Sequence, residues 1–346
     1  MNIKNVKKAV IIVLCAVFTV SSAIACPVNA FAEDSSDYSG YTYIPVENAA
    51  DVENIISAAR ENGVLREDER VIFDPSVEFN SGSYKRDIVC YLDGSMMVVV
   101  WKQLVDGFTL TMAEIKLTDA SQIHRVLVKP DGSTYVNGGR YLSEITAETD
   151  AVLAINADCY YRREFGIVYN EGELYRYNTR NYGATNNPAI TYYIYNCLDN
   201  CFVTRSGKLL FKYFGTPYTA DELMQYCEEN DVAFSLSFGP VLVDNYEVKD
   251  HYVGWYPVGE VDELYSRVAL GTVDDLHYIY ACVNHSDEKP ARWTMKMMAD
   301  FMGSLGVENA YGLDGGQTGE LIINGEIYNR IDYGEERHVS DMIYFR

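Results

Sequence analysis

The chain has 346 residues, 48% of them hydrophobic, and a formal net charge of −22. A surface this acidic repels nucleic acid and anionic membrane, which excludes both as partners. The length suits one large domain or two modest ones with sizeable cores.

The chain opens with the pattern of a secretory leader. Lys4, Lys7 and Lys8 form a basic start, residues 9–25 are apolar, and Ala30-Phe31-Ala32 is a small-x-small cleavage site followed by Glu33-Asp34. Cleavage after Ala32 removes 32 of 346 residues and leaves 314. Three lysines and no acid depart with it, so −22 becomes −25. A rival is lipid attachment at Cys26, because Ala23-Ile24-Ala25-Cys26 loosely follows a lipobox without its leucine. No second long apolar run exists, so no stable membrane span is expected after the leader, and the protein is expected to be secreted or at the cell surface.

Residues 33–86 form a leader and a small helical N-terminal region. Residues 33–41 are polar and small. Residues 48–62 are an amphipathic helix with Val52, Ile55, Ile56 and Ala59 on one face and Gly63 as its stop. Pro75 and Gly82 break the stretch that follows. From residue 87 to 346 the pattern turns strand-rich. Residues 96–101 read as a buried strand and residues 109–117 as a strand alternating at period two. Further strands are expected at 151–155, 191–195, 233–238, 277–283 and 320–325. Two helices interrupt. One begins at the capping box Thr219-Ala220-Asp221-Glu222, with Leu223, Met224 and Cys227 inward. The other carries the stripe Trp293, Met297, Met298, Phe301, Met302, Leu305 and stops at Gly306. Interspersed strands with few helices predict an α+β fold, a strand-rich mixed-sheet core with a few packed helices and a small N-terminal appendage.

Six cysteines lie beyond the leader, at 90, 159, 197, 201, 227 and 282. Three disulfides are permitted, Cys197 and Cys201 could close a small loop, and buried thiols fit the composition equally well. No zinc spacing or calcium loop is present, the five histidines are scattered, and no metal or cofactor is expected. The segment around Tyr160, Tyr161, Tyr169, Tyr175, Tyr177, Tyr182, Tyr192, Tyr193 and Tyr195 is rich in tyrosine. That ring offers a sugar an apolar face and a hydroxyl, and suits a half-buried strand as well.

Four segments place glycine or small polar residues at the ends of strand-like runs. They are Ile155-Asn156-Ala157-Asp158-Cys159-Tyr160-Tyr161, Ser237-Phe238-Gly239-Pro240-Val241-Leu242-Val243, Ser266-Arg267-Val268-Ala269-Leu270-Gly271, and Gly312-Leu313-Asp314-Gly315-Gly316-Gln317-Thr318. In order and spacing they resemble the phosphodiester glycosidase family, over roughly residues 87–346 and including the closing Arg337-His338-Val339-Ser340-Asp341-Met342-Ile343. Two motifs depart from that family. Gln317 stands where a further glycine is usual, and Asn156-Ala157-Asp158 replaces Asn-Gly-Gly.

The resemblance implies an exported hydrolase that cleaves the sugar C1–O–phosphate bond of a phosphate-linked glycan or glycoconjugate. Such a site needs a carboxylate at the oxocarbenium-like centre and a cation on the phosphate. Asp314 is the expected carboxylate, Asp158 its acid/base partner and Arg267 the phosphate clamp, since a guanidinium fork grips phosphate through two bonds. Asn156, Tyr160, Gln317 and Thr318 are expected to bond sugar hydroxyls or phosphate, and Gly239, Gly315 and Gly316 to let the backbone approach closely. The alternative is a non-catalytic envelope polysaccharide-binding or assembly protein, suggested by Gln317 and the tyrosine-rich segment.

Overall fold

A computed structural model describes residues 44–46, 49–74, 88–128, 138–160, 166–178, 199–213, 219–252, 261–283 and 293–346. The leader, Cys26, Pro75, Gly82, the expected strand at 191–195, Cys197 and Tyr161, Tyr182, Tyr192, Tyr193 and Tyr195 lie outside the described residues.

Among the described residues the strands form three sheets, with strands numbered here in chain order. The largest runs Ile44–Pro45 (β1), Val89–Leu92 (β2), Met96–Val105 (β3), Phe108–Leu117 (β4), His277–Val283 (β15), Val268–Asp274 (β14), Asn309–Leu313 (β16), Val241–Asp244 (β12) and Glu247–Val248 (β13). The second runs Leu209–Lys212 (β10), Asn200–Thr204 (β9), Val232–Leu236 (β11), Gly166–Asn170 (β7) and Glu173–Asn178 (β8). The third runs Glu326–Ile327 (β18), Leu321–Ile323 (β17), Leu153–Asn156 (β6), Asp341–Phe345 (β19) and Ile123–Leu127 (β5). Every ladder between these strands is antiparallel, β14 with β15 and with β16 included. The class is strand-rich α+β.

Side chains alternate across a strand, so one sheet can serve two cores. On one face of the large sheet, Met97, Val99, Trp101, Leu110, Met112, Ile279, Ala281 and Ala269 pack with helices Ala49–Glu61 (α1) and Met295–Ser304 (α4). On the other, Met96, Val98, Val100, Ile115, Tyr278, Tyr280, Tyr311 and Leu313 meet Val203, Phe234 and Leu236 of the second sheet and Leu153, Ile155, Leu321 and Ile343 of the third. β4 therefore has both faces covered and is buried from Thr109 to Leu117. Its polar positions sit inside, paired. Glu114 accepts from the main-chain N–H of Ile72 and Phe73 and contacts His277 Nε2 at 2.8 Å.

α1 contributes Val52, Ile55 and Ala59 to the same core as β3 and α4. Helix Ala220–Glu229 (α3) begins at the expected reciprocal cap between Thr219 and Glu222 and buries Leu223 and Cys227 on the outer face of the second sheet. The short helix Leu142–Thr146 (α2) has no counterpart among the expected elements. Five residues are too few to show a 3.6-residue period, and Leu142 and Ile145 are fixed by Ala154, Ile322 and Met342 of the third sheet. Cys90, Cys159, Cys201, Cys227 and Cys282 are buried thiols. Among the described residues no helix is long and apolar enough to cross a membrane.

Candidate active site

Three chain segments of the large sheet meet at one end. β14 and β16 pair as far as Val268 opposite Leu313, and the next residues on the two strands are Arg267 and Asp314. On the other side of β16, Gly312 N–H donates to Pro240 O at 2.9 Å. A Cβ at Gly312 would come within 2.9 Å of Gly239 O, so that crossing requires glycine. The third sheet joins through β6, where Asp314 N–H donates to Ala157 O at 2.9 Å. Segments far apart in sequence thus converge on Asp314.

The loop after Asp314 is shaped from behind. Gly316 N–H donates to Ser266 O at 2.8 Å, and a Cβ at Gly315 would collide with that same carbonyl oxygen. Gly316 has φ +64, the left-handed region in which glycine is unstrained. Gly315 N–H donates to Asp314 Oδ1 at 3.1 Å, and Thr318 Oγ1 donates to Gly315 O at 2.7 Å. Asp314 is half-buried and Thr318 buried. Gln317 Nε2 donates to Glu335 O at 3.1 Å, tying this loop to the next.

Arg267 is buried, and its guanidinium is oriented by carbonyls. Nε donates to Trp293 O at 3.1 Å and Nη2 to Glu263 O at 2.8 Å, with the Tyr265 ring 5.3 Å away. Asn156 is wholly buried. Its Nδ2 donates to Asp314 O at 2.5 Å and its Oδ1 accepts from Glu320 N–H at 3.1 Å. The Asn156 amide therefore shapes the loop, with both its polar atoms on main chain.

Asp158 occupies a different position from Asp314. It is 2% exposed; Oδ1 accepts from Cys159 N–H at 2.6 Å and Oδ2 from Ser237 N–H at 2.7 Å. Arg125 Nη2 lies 3.7 Å from Oδ2 and 2.5 Å from Asp341 Oδ2, while Asp341 Oδ1 accepts from Asp158 N–H at 2.8 Å. One guanidinium and two carboxylates thus lock β5, β19, the end of β6 and the segment after β11 together. Tyr160 is buried beside Arg125 and Arg176, whose Nη1 donates to Tyr160 O at 2.8 Å.

Glu320 is not among the residues expected at the site. It is fully buried, and among the described residues neither carboxyl oxygen has a hydrogen bond to a neutral group; it faces Glu336. Burial, and then the neighbouring Glu336 carboxyl, push it up to about 9. Glu336 is itself held by Ser143 at the start of α2, through N–H at 3.0 Å and Oγ at 2.6 Å. The available signal was a charged residue leading the apolar run Leu321-Ile322-Ile323. Nothing in the sequence singled out Arg125, one cation in the run Ile123-His124-Arg125-Val126-Leu127. Among the described residues no group of three His, Cys, Asp or Glu side chains gathers where it could hold a metal ion.

The phosphodiester glycosidase family model matches residues 136–346, well over half of the chain. The chain belongs to the phosphodiester glycosidase family. In fold it is similar to the catalytic domain of zebrafish N-acetylglucosamine-1-phosphodiester alpha-N-acetylglucosaminidase, auto-inhibited by its pro-peptide in that structure. The TM-score is 0.51 at 16% identity, with 72% of this chain and 82% of that one covered. A hypothetical protein from Synechocystis matches with a TM-score of 0.49 at 14% identity, over 76% of this chain and 64% of that one. No curated protein matches.

Proposed function

We propose that this protein is an exported hydrolase that cleaves the sugar C1–O–phosphate bond of a phosphate-linked glycan. The single observation that carries the reading is the pairing that ends at Val268 and Leu313 and sets Arg267 and Asp314 side by side at the sheet end. Asp314 is the carboxylate at the anomeric centre. Its position at a rigid strand end, with one oxygen oriented by Gly315 N–H, suits attack on C1, charge stabilisation there, or activation of water. Arg267 holds the phosphate; the two carbonyls fix the plane of its guanidinium, as bidentate recognition demands. The departing phosphate needs little protonation, so one oriented carboxylate and one clamp can carry most of the work. Asp158 and Asn156 act as positioning residues, Gly239, Gly315 and Gly316 let the chain close on the ligand, and Thr318 and Gln317 brace the loop. Tyr160 supports the Arg125 network from beneath. Export rests on the leader pattern of residues 1–32.

The test is release of reducing sugar from a methyl N-acetylglucosamine-1-phosphodiester and from a panel of other sugar-1-phosphodiesters. Turnover is expected, with Asp314→Asn reducing kcat by about 10²-fold or more while the melting temperature holds. No turnover across the panel, together with glycan binding that survives Asp314→Asn and Arg267→Ala, would instead establish the binding-protein reading that Gln317 suggests.

A further inference from the structure

Tyr333 is the most exposed of the large apolar side chains among the described residues, at 81%. Its backbone is left-handed, with φ +66 and ψ 0, and Gly334 follows at φ +77. A bulky residue pays conformational free energy to sit there, and an exposed ring recovers none of it through packing. Tyr246 shares the φ value and is 63% exposed, but its case differs: Asn245-Tyr246 is the two-residue connection between β12 and β13, and such hairpin turns require positive φ at both positions. The turn at residues 332–334 joins no such hairpin. It packs instead against the turn at residues 316–318, which starts two residues after Asp314. Gln317 Nε2, bonded to Glu335 O at 3.1 Å, clamps the two turns together.

We propose that Tyr333 is the stacking platform for the sugar ring of the phosphate-linked glycan, and that Gln317 is the positioning residue that holds it beside Asp314. This rests on the reading of the site given above. The face of a pyranose ring presents C–H groups that pack on an aromatic face, and the phenol hydroxyl reaches the polar rim. Strain kept at an exposed aromatic is what a ligand clamp requires and what folding alone would discard. The side chain that replaces the family's glycine at position 317 thereby gains a purpose. Its amide leaves the cradle and fastens a second turn to it.

The experiment uses the full chain in an Asp314→Asn background, so that binding is read without turnover. The probe is the methyl N-acetylglucosamine-1-phosphodiester, titrated calorimetrically. Tyr333→Ala is expected to weaken binding by about 3- to 10-fold, the range of one aromatic contact, and Tyr333→Phe to recover most of it. Tyr333→Gly should weaken binding as Ala does while raising the melting temperature, because glycine relieves the backbone. Gln317→Ala should weaken binding similarly, and the Gln317→Ala/Tyr333→Ala pair should lose less than the product of the two. Tyr333→Ala binding as tightly as its parent overturns the proposal. So does a parent that does not bind the probe, or a Tyr333→Gly variant that loses melting temperature and affinity together. With Asp314 restored, Tyr333→Ala should raise KM far more than it lowers kcat. Failure of the hydrolase reading appears separately, as absent turnover with binding intact.

Discussion

Asn156 donates its side-chain amide to the main-chain carbonyl of Asp314 at 2.5 Å, and the same amide accepts from Glu320 N–H at 3.1 Å. One buried side chain thus clamps both ends of the loop that carries the proposed carboxylate. The bond is to the backbone of Asp314, so Asn156 controls where that carboxylate stands without touching it.

Asn156→Asp tests this. The replacement keeps shape but sets an acceptor against the Asp314 carbonyl and buries a charge. We expect a loss of about 2–3 kcal/mol in chemical denaturation, the cost of an unsatisfied buried group, and a fall in activity beyond what unfolding explains. Equal stability in the variant would show that the amide does not hold the loop.

The glycines of the loop separate two physical causes. Gly316 needs its left-handed φ but has open space beside it, so Gly316→Ala should cost only about 1 kcal/mol. Gly315 has an ordinary extended backbone, yet a Cβ there would strike the Ser266 carbonyl. Gly315→Ala should therefore push the loop off the Ser266–Arg267 segment, costing about 2–3 kcal/mol and nearly all turnover. Melting curves and kcat for the two variants decide it; the ordering Gly315→Ala worse than Gly316→Ala is the expectation.

This contrast also shows what a sequence can and cannot display. The capping box at Thr219, the stop at Gly63 and the Met298–Met302 stripe were legible because their causes are local. Asp-Gly-Gly was legible as a cradle for the same reason. The partner of each polar group was not. Asp158 and Asp314 look alike in sequence, one carboxylate after a strand. Only the meeting of β5, the end of β6 and the segment after β11 gives Asp158 an arginine and two N–H donors, and leaves Asp314 half-buried at the sheet end. The alternation of residues 109–117 suggested one wet face. The second and third sheets cover that face, a tertiary fact with no local trace.

Asp158→Asn separates positioning from proton transfer. A catalytic acid/base replaced by its amide loses turnover and keeps its fold. Here the amide nitrogen would face the N–H of Ser237 or Cys159, and Arg125 would keep only Asp341. We expect a stability loss of about 3 kcal/mol, measured by urea denaturation, alongside the loss of activity. A variant that melts like the wild type, with its pH–rate profile missing one limb, would make Asp158 the proton-transfer group after all.

Glu320 supplies a prediction about pH. The unfolded chain releases this proton near the ordinary glutamate value of 4.5, whereas the folded chain keeps it up to about 9. The folded state therefore binds the extra proton throughout that interval, and stability must fall as pH rises through it. The limit is about 1.4 kcal/mol per pH unit, and the loss levels off above the folded value. Glu320→Gln removes the linkage: the amide is neutral at every pH and can donate to the Glu336 carboxylate, which Ser143 already holds in place. The variant should match the wild type near pH 4.5, where both side chains are uncharged. It should then exceed it by a margin that grows to about 4 kcal/mol by pH 7.5. Urea denaturation at several pH values gives the difference curve directly, since carboxylates remote from the Glu320–Glu336 pair titrate alike in the two proteins and cancel. A flat difference would mean that Glu320 ionises in the folded chain as it does in water, and that its burial opposite Glu336 costs nothing.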